Sequence, residues 1–403
     1  MKMKILMLGW EYPPHISGGL ATACQGLVES LLKKGHEVLF LLPKAVEEMQ
    51  SERFRLISAS NVELPKKKDS ITYPLLRKLI PNVDPTQIHN LSGDKYNFSG
   101  AYGPNLIEEV YWLAVVISKL AKELEFDIIH AHDWLTFPAG IIAKEISRKP
   151  LVVHVHATAF DRSAKINHEI YEIERQGMLV ADKVMAVSNL TKKIIIDKYH
   201  IDAKKVITTY NGVKQKDTSQ NLDTSRFKEK IVTFLGRITY QKGPEYFIEA
   251  AEKVLKKDKN VRFVMAGNGD LMTEMIKIVA AKRLSSHFHF TGFLKGREVD
   301  RMLAMTDVFV MPSISEPFGI APLEAIQANI PVIISRQSGV AEVLPHAFIV
   351  DYWDTNSLSE AIYGLLNHKS FAKMVKGLNR VALQNLTWGH AAETVSSTYQ
   401  SVA

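Results

Sequence analysis

Short, uninterrupted apolar runs alternate along this chain with longer stretches whose apolar positions recur at helical spacing. Lys4-Ile5-Leu6-Met7-Leu8 is one such run and Glu37-Val38-Leu39-Phe40-Leu41-Leu42 the next. Between them, residues from about 20 to 34 carry a helical pattern that Gly35 stops in a C-cap position. A continuous apolar run is a strand buried on both faces, so strand, helix and strand form a βαβ unit of a parallel sheet. The same reasoning predicts strands at 128–129, 151–155, 183–187 and 206–208, and a long amphipathic helix over about 105–124. Residues 45–104 carry Pro, Asn and scattered charge and read as an insertion near a cleft.

The alternation then restarts. A polar stretch at 214–229 reads as a linker. After it come a strand at 231–235, a helix at 244–256, a strand at 261–266 and a helix near 271–282. A strand at 288–290, a helix at about 298–304 and strands at 307–311 and 331–334 follow. The pattern predicts an α/β protein of two doubly wound parallel-sheet (Rossmann-like) domains, 1–213 and 230–385, facing a cleft. No internal sequence repeat is visible, so the halves would match in fold only.

Composition supports the division. With 403 residues the chain is too long for one comfortable core. Hydrophobic content of 46% and charged content of 23% are those of an ordinary globular protein. The single cysteine, Cys24, excludes an internal disulfide and sits among small apolar residues, as a buried thiol would. Lys2 and Lys4 precede too short an apolar run for a secretory signal, and the longest run, Val110 to Ile117, is far short of a membrane span. A cytoplasmic enzyme is expected. The net charge of +7 is spread out, with Lys66-Lys67-Lys68 the one dense run, and no aromatic-and-basic motif suggests nucleic acid.

The chemistry concentrates in Ser315-Glu316-Pro317-Phe318-Gly319-Ile320-Ala321-Pro322-Leu323-Glu324-Ala325. It follows a strand ending at Pro312 and leads from a glycine-containing loop into a helix. The helix's first N–H groups, near Ile320 and Ala321, are free to meet an anion. Glu316 would lie on the loop and Glu324, eight positions on, about two turns later. A carboxylate on either side of an anion site suits a ligand with a charged middle and hydroxyls at both ends, such as a nucleotide-sugar.

Other candidates sit at strand ends. Gly18-Gly19 lies between the first strand and first helix, as a tight turn or a place where backbone approaches a phosphate. Arg237 and Lys242 share the loop after the first strand of the second half, where two cations would stabilise a departing diphosphate. His154 and His156 share a strand face. Two histidines suggest metal, but no third ligand with convincing spacing and no Asp-x-Asp accompany them, so no metal is expected. His154 reads as a satisfied structural histidine. His130-Ala131-His132-Asp133-Trp134 ends another strand, where Asp133 either lines a ligand site or braces the loop. Gly292-Phe293-Leu294 and, more weakly, Gly267-Asn268-Gly269-Asp270 follow further strands.

These motifs resemble family 4 of the retaining glycosyltransferases, whose signature is Glu, seven residues, Glu, with Phe-Gly after the first acid. The stretches Gly18 to Leu20, His130 to Trp134 and His154 to Ala157 resemble glycogen and starch synthases in particular. The resemblance spans nearly the whole chain and implies the GT-B architecture, with the helix in 386–403 packed back on the first domain. It implies transfer of a hexose, glucose first, from ADP- or UDP-glucose to a glycan acceptor, an α-glucan above others, with no cofactor and no metal. It places Gly18, Gly19, Arg237, Lys242, Ile320 and Ala321 on the donor phosphates. His156, Glu316, Phe318 and Gly319 fall on the transferred sugar, Glu324, Gly292, Phe293 and Leu294 on the nucleoside, and Asp133 on the acceptor side. His156, Glu316, Arg237 and Lys242 would carry the catalysis. Two departures leave the sugar open: Ile16 stands where the synthases carry a lysine, and Gln337-Ser338-Gly339-Val340 replaces a usual Gly-Gly. Another sugar donor, or a lipid or small-molecule acceptor, is the alternative, and a nucleotide-sugar epimerase of the same architecture a more distant one.

Overall fold

The computed structural model describes residues 2–14, 18–64, 94–163, 165–214 and 228–403. Ile16, Lys66 to Lys68 and nearly all of the 214–229 stretch lie outside the described residues.

Seven parallel strands form the first sheet: β1 (Lys4–Leu8), β2 (Glu37–Leu42), β3 (Phe54–Ser58), β4 (Ile128–His132), β5 (Leu151–Val155), β6 (Lys183–Ala186) and β7 (Val206–Thr208). Their order is β3-β2-β1-β4-β5-β6-β7. Six parallel strands form the second: β8 (Lys230–Leu235), β9 (Val261–Ala266), β10 (Phe288–Gly292), β11 (Val308–Met311), β12 (Val332–Ser335) and β13 (Phe348–Val350). Their order is β10-β9-β8-β11-β12-β13. Both sheets reverse direction of growth once, at β1/β4 and at β8/β11. Those reversals are topological switch points, where a crevice opens beyond the carboxyl ends of the strands.

The helices are α1 (Gly19–Lys33), α2 (Leu106–Glu123), α3 (Phe137–Ser147), α4 (Ala159–Arg162), α5 (His168–Val180), α6 (Asn189–Tyr199), α7 (Pro244–Lys257), α8 (Met272–Ala281), α9 (Arg297–Met305), α10 (Ala321–Gln327), α11 (Thr355–Asn367), α12 (Lys369–Leu383) and α13 (Trp388–Gln400). They cover the sheets on both faces, which is why the strands read as continuous apolar runs. Alternate residues of β1 serve different cores. Leu6 and Leu8 pack with Leu113 to Ile117 of α2, while Ile5 and Met7 pack with Leu27, Val28 and Leu31 of α1. In the second domain Val232 and Phe234 meet Phe247 and Ile248 of α7, whereas Ile231 joins Leu323 and Ile326 of α10.

The last helix returns to the first sheet. Ala392, Val395 and Tyr399 of α13 share the core of Ile5, Met7 and Leu27, and Gly26 of α1 leaves room for the Trp388 ring. His36 Nε2 lies 3.0 Å from Ser396 Oγ. No helix among the described residues is long and apolar enough to cross a membrane.

One loop is fixed by a glycine. Gly267, after β9, has φ +140°, and a Cβ there would lie 1.8 Å from the carbonyl oxygen of Gly236, just before Arg237. Gly267→Ala should therefore cost about 3 kcal/mol in urea unfolding, through a glycine-only backbone and a backbone clash. A loss under about 0.5 kcal/mol, the level of an ordinary surface change, would contradict this.

Candidate active site

The β1–α1 connection brings Gly18 to the N-cap of α1, and a buried carboxylate, Glu11, to the same place. Tyr102 Oη donates to Glu11 Oε1. Burial raises the Glu11 carboxyl above its usual range, against Tyr102, the amides of Ala21 and Gly18, and the charge of Arg237. The Glu11 carboxylate thus stands beside the start of α1, where a Cβ on Gly18 would lie 2.9 Å from its Oε2, and Arg237 of the second domain lies within its electrostatic reach. Sequence reading missed Glu11 and Tyr102. Glu11 carried a signal nonetheless, as an acid directly beyond an apolar strand.

The neighbouring strand ends carry Asp133 and His156. Asp133 has φ 59° and ψ 167°, a backbone region that is almost exclusively glycine's. The strain turns its carboxylate onto the next strand, where Oδ1 accepts from the N–H groups of His156 at 2.6 Å and Ala157 at 3.3 Å. Burial pushes the Asp133 carboxyl up to about 6, against Arg162 and those two amides. The side chain therefore braces the turn after β5, one of the two roles the sequence left open for it. Arg162, which sequence reading also missed, spans from Asp133 to Glu174, with Nη1 2.6 Å from Glu174 Oε1.

His156 is half-buried, its Nε2 2.9 Å from His132 Nδ1, and burial holds its imidazole down to about 3. His130, His132 and His154 are buried behind it. Both ring nitrogens of His154 lack a hydrogen-bond partner, so His154 is not the satisfied structural histidine the strand pattern suggested. The ligand-type residues that spacing concealed are His130 and His132, which β4–β5 pairing brings beside His154, while His156 lies outside that group.

In the second domain the loops after β8 and β11 interlock. Ile314 N donates to Gln241 O at 2.9 Å, and Gly243, with φ +59°, presses against the Pro312 carbonyl where no Cβ would fit. Lys242 Nζ consequently meets Glu316 Oε2 in an ion pair. Arg237 is exposed on the same loop. Glu316 is buried to 7% exposure, and its backbone bridges the Gln337-to-Gly339 segment through Glu316 N to Gln337 O at 2.9 Å and Gly339 N to Glu316 O at 2.8 Å. Gly319 has φ +100°, which lets the chain turn into α10 from Ile320.

Two expectations change here. Glu324 stands in the first turn of the seven-residue α10, not two turns in, because the helix begins only at Ala321. The Phe318 side chain is buried in the core with Leu323 and Val340, its ring 6.0 Å from that of Tyr210. With the residue 2% exposed, only its backbone remains for a ligand. At the end of β10, Gly292 has φ +72° and Phe293 is half exposed.

The two halves meet directly. Ser315 Oγ donates to Asp161 Oδ1 at 2.6 Å. Glu342 accepts from the first amides of α6, Asn189 N at 2.9 Å and Leu190 N at 2.7 Å, and from Tyr210 Oη at 2.9 Å. A carboxylate of one domain thus caps a helix of the other. Glycine backbone and a helix N-terminus on one side, two cations and two carboxylates on the other, can hold a diphosphate between hydroxyl-bearing groups.

The family model for the starch synthase catalytic domain matches residues 4–209, and that for group 1 glycosyl transferases matches residues 216–378. An uncharacterized glycosyltransferase, MJ1607 of Methanocaldococcus jannaschii, is 28% identical, with 99% of this chain and 98% of that one covered. Glycogen synthase of Mycobacterium tuberculosis is 25% identical over 85% of this chain and 80% of its own. Among solved structures, Anabaena HepE in complex with UDP and glucose superimposes with a TM-score of 0.71 at 18% identity, covering 99% of this chain and 100% of that one. At that identity the likeness is one of fold.

Proposed function

This chain belongs to the glycosyltransferases of the GT-B fold, with a starch synthase catalytic domain in its first half, and we propose that it moves a hexose, glucose above others, from a nucleotide-sugar to a glycan with retention of configuration. One observation carries the reading. The chemistry-bearing residues gather at the two switch points, and these meet across the domain boundary, where Arg237 is in the field of Glu11 and Ser315 bonds Asp161.

The donor diphosphate binds between Gly18 and Gly19 on one domain and Arg237, Lys242 and the amides near Ile320 and Ala321 on the other. It draws Lys242 from Glu316 and takes the place of the Glu11 carboxylate at the start of α1. Glu316, His156 and the Gly319 backbone meet the transferred sugar, Glu324 the ribose, and Gly292 to Leu294 the base. As the glycosidic bond breaks, negative charge grows on the diphosphate, and fixed cations stabilise it there. The departing phosphate accepts the acceptor's proton, and Glu316, already paired with Lys242, orients hydroxyls without forming a glycosyl ester.

Phosphate charge neutralised by Arg237, Lys242 and helix amides needs no divalent ion. A brief exposure to EDTA should leave the rate unchanged and added Mg²⁺ or Mn²⁺ should not raise it; a loss that only those ions restore would overturn this.

The α-glucan reading is supported by the starch synthase match and the glycogen synthase relative. Ile16, in place of the synthases' lysine, favours a second reading in which the donor or acceptor differs. NMR of the product formed from UDP- or ADP-glucose and a malto-oligosaccharide separates them. Longer chains joined by an α linkage are expected. Donor turnover without chain extension selects the second reading, and a β linkage or an isolated ester on Glu316 excludes the retaining mechanism.

A further inference from the structure

His130 and His132 of β4 and His154 of β5 form a cluster that the transfer reaction does not use. They are 0%, 0% and 2% exposed. Within it, His130 Nε2, His132 Nε2 and both nitrogens of His154 have no hydrogen-bond partner. Buried polar atoms left so are costly, and four in one place indicate that something satisfies them. The outward nitrogens, by contrast, are held: His130 Nδ1 lies 2.5 Å from Tyr399 Oη, and His132 Nδ1 2.9 Å from His156 Nε2. If each donates its Nδ1–H outward, both Nε2 lone pairs face the cluster, the arrangement by which outer partners orient metal-binding imidazoles.

The spacing brings three ligands within reach of one ion. A nitrogen from each ring lies within 4.8 Å of the others, and the ring centroids are 4.4, 5.4 and 5.4 Å apart with planes 29°, 5° and 24° from parallel, so the stacked rings must turn to aim their lone pairs at one ion. An imidazole bound at 2.0–2.1 Å has its centroid roughly 3.2 Å from the metal, so two rings at a tetrahedral angle stand roughly 5.2 Å apart. Binding would draw the nitrogens in to roughly 3.3 Å of one another.

We propose that His130, His132 and His154 form a buried, structural site for a divalent transition metal of the zinc class, with water in the fourth position. Nitrogen ligands in this number favour zinc or cobalt over magnesium or calcium. The ion touches no substrate. It ties the ends of β4 and β5, which carry Asp133 and His156, and through His132 it positions the His156 ring. The proposal stands independently of the transferred sugar and of the transfer reaction itself.

Because the site is buried, it loads during folding. The test is to refold the full chain with Zn²⁺, remove free metal, and measure bound zinc by atomic emission, repeating with Co²⁺ for its visible spectrum. About one zinc per chain and the intense bands of four-coordinate Co²⁺ are expected. His154→Gln, with folding checked by circular dichroism, should bind about tenfold less, whereas exposed His289→Ala should bind as wild type. Folded wild type that binds less than about 0.1 zinc per chain overturns the proposal without recourse to any variant, as does full zinc retention in folded His154→Gln.

Discussion

Glu316→Ala lowers turnover about a hundredfold while leaving the affinity for free nucleoside diphosphate nearly unchanged, and Glu324→Ala weakens that affinity about ten- to a hundredfold. The separation follows from position. Glu316 lies on the loop before α10 against Lys242, and its proposed partner in the complex is the transferred sugar, absent from the free diphosphate. Losing a charge-assisted hydrogen bond that matters in the transition state lowers turnover. Removing Glu316 also frees Lys242 for phosphate, so the diphosphate should bind as well as before, or better. Glu324 stands in the first turn of α10, and its proposed partner is the ribose, which the free diphosphate retains. Calorimetry with the diphosphate and initial rates with the sugar donor check both halves. Equal weakening of the diphosphate by both substitutions would contradict the division of roles.

Arg237→Ala is expected to cost about 10²–10³ in turnover, the range for removing one donor aimed at charge that develops in the transition state. Arg237 is exposed toward the other domain, so its loss should leave the unfolding free energy within about 0.5 kcal/mol of wild type. Lys242→Ala behaves differently. It removes a phosphate contact and also leaves Glu316, 7% exposed, without its ion-pair partner. An abandoned buried charge destabilises, so this variant should lose stability as well as turnover. Initial rates together with urea unfolding distinguish the two. A fall of less than about threefold in Arg237→Ala would remove it from the phosphate site.

The fold was legible because both sheets are parallel and covered on both faces. The stretches 5–8 of β1, 38–42 of β2 and 308–311 of β11 are unbroken apolar runs, and most strand spacings left room for a helix. β3 was not legible. It is an edge strand with Arg55 exposed, placed in a polar region, so no continuous apolar run marks it. β13, at the opposite edge, is only Phe348–Val350 and too short to announce itself.

The site was legible where chemistry coincides with a strand end. Glu316, Lys242, Arg237 and Gly18 are all brought to the two switch points. What sequence could not show was pairing through space. Glu11 meets Tyr102 across 91 residues, and His130 reaches His154 only because β4 and β5 are neighbours. Asp133 was found with two tasks open, lining a ligand site or bracing the loop, since nothing in His-Asp-Trp reveals a positive φ that turns the carboxylate onto the His156 amide. Phe318 was assigned to the sugar through the family resemblance, yet α10 and Tyr210 enclose its ring.

The most direct measurement is nucleoside diphosphate release from a panel of nucleotide-sugars, each offered with and without a malto-oligosaccharide, for wild type beside Arg237→Ala and Glu316→Ala. The account predicts release from at least one hexose donor, with glucose donors first, stimulated by acceptor and falling about a hundredfold or more in each variant. Release that is equal in wild type and both variants, or absent with every donor from folded wild type, would contradict it.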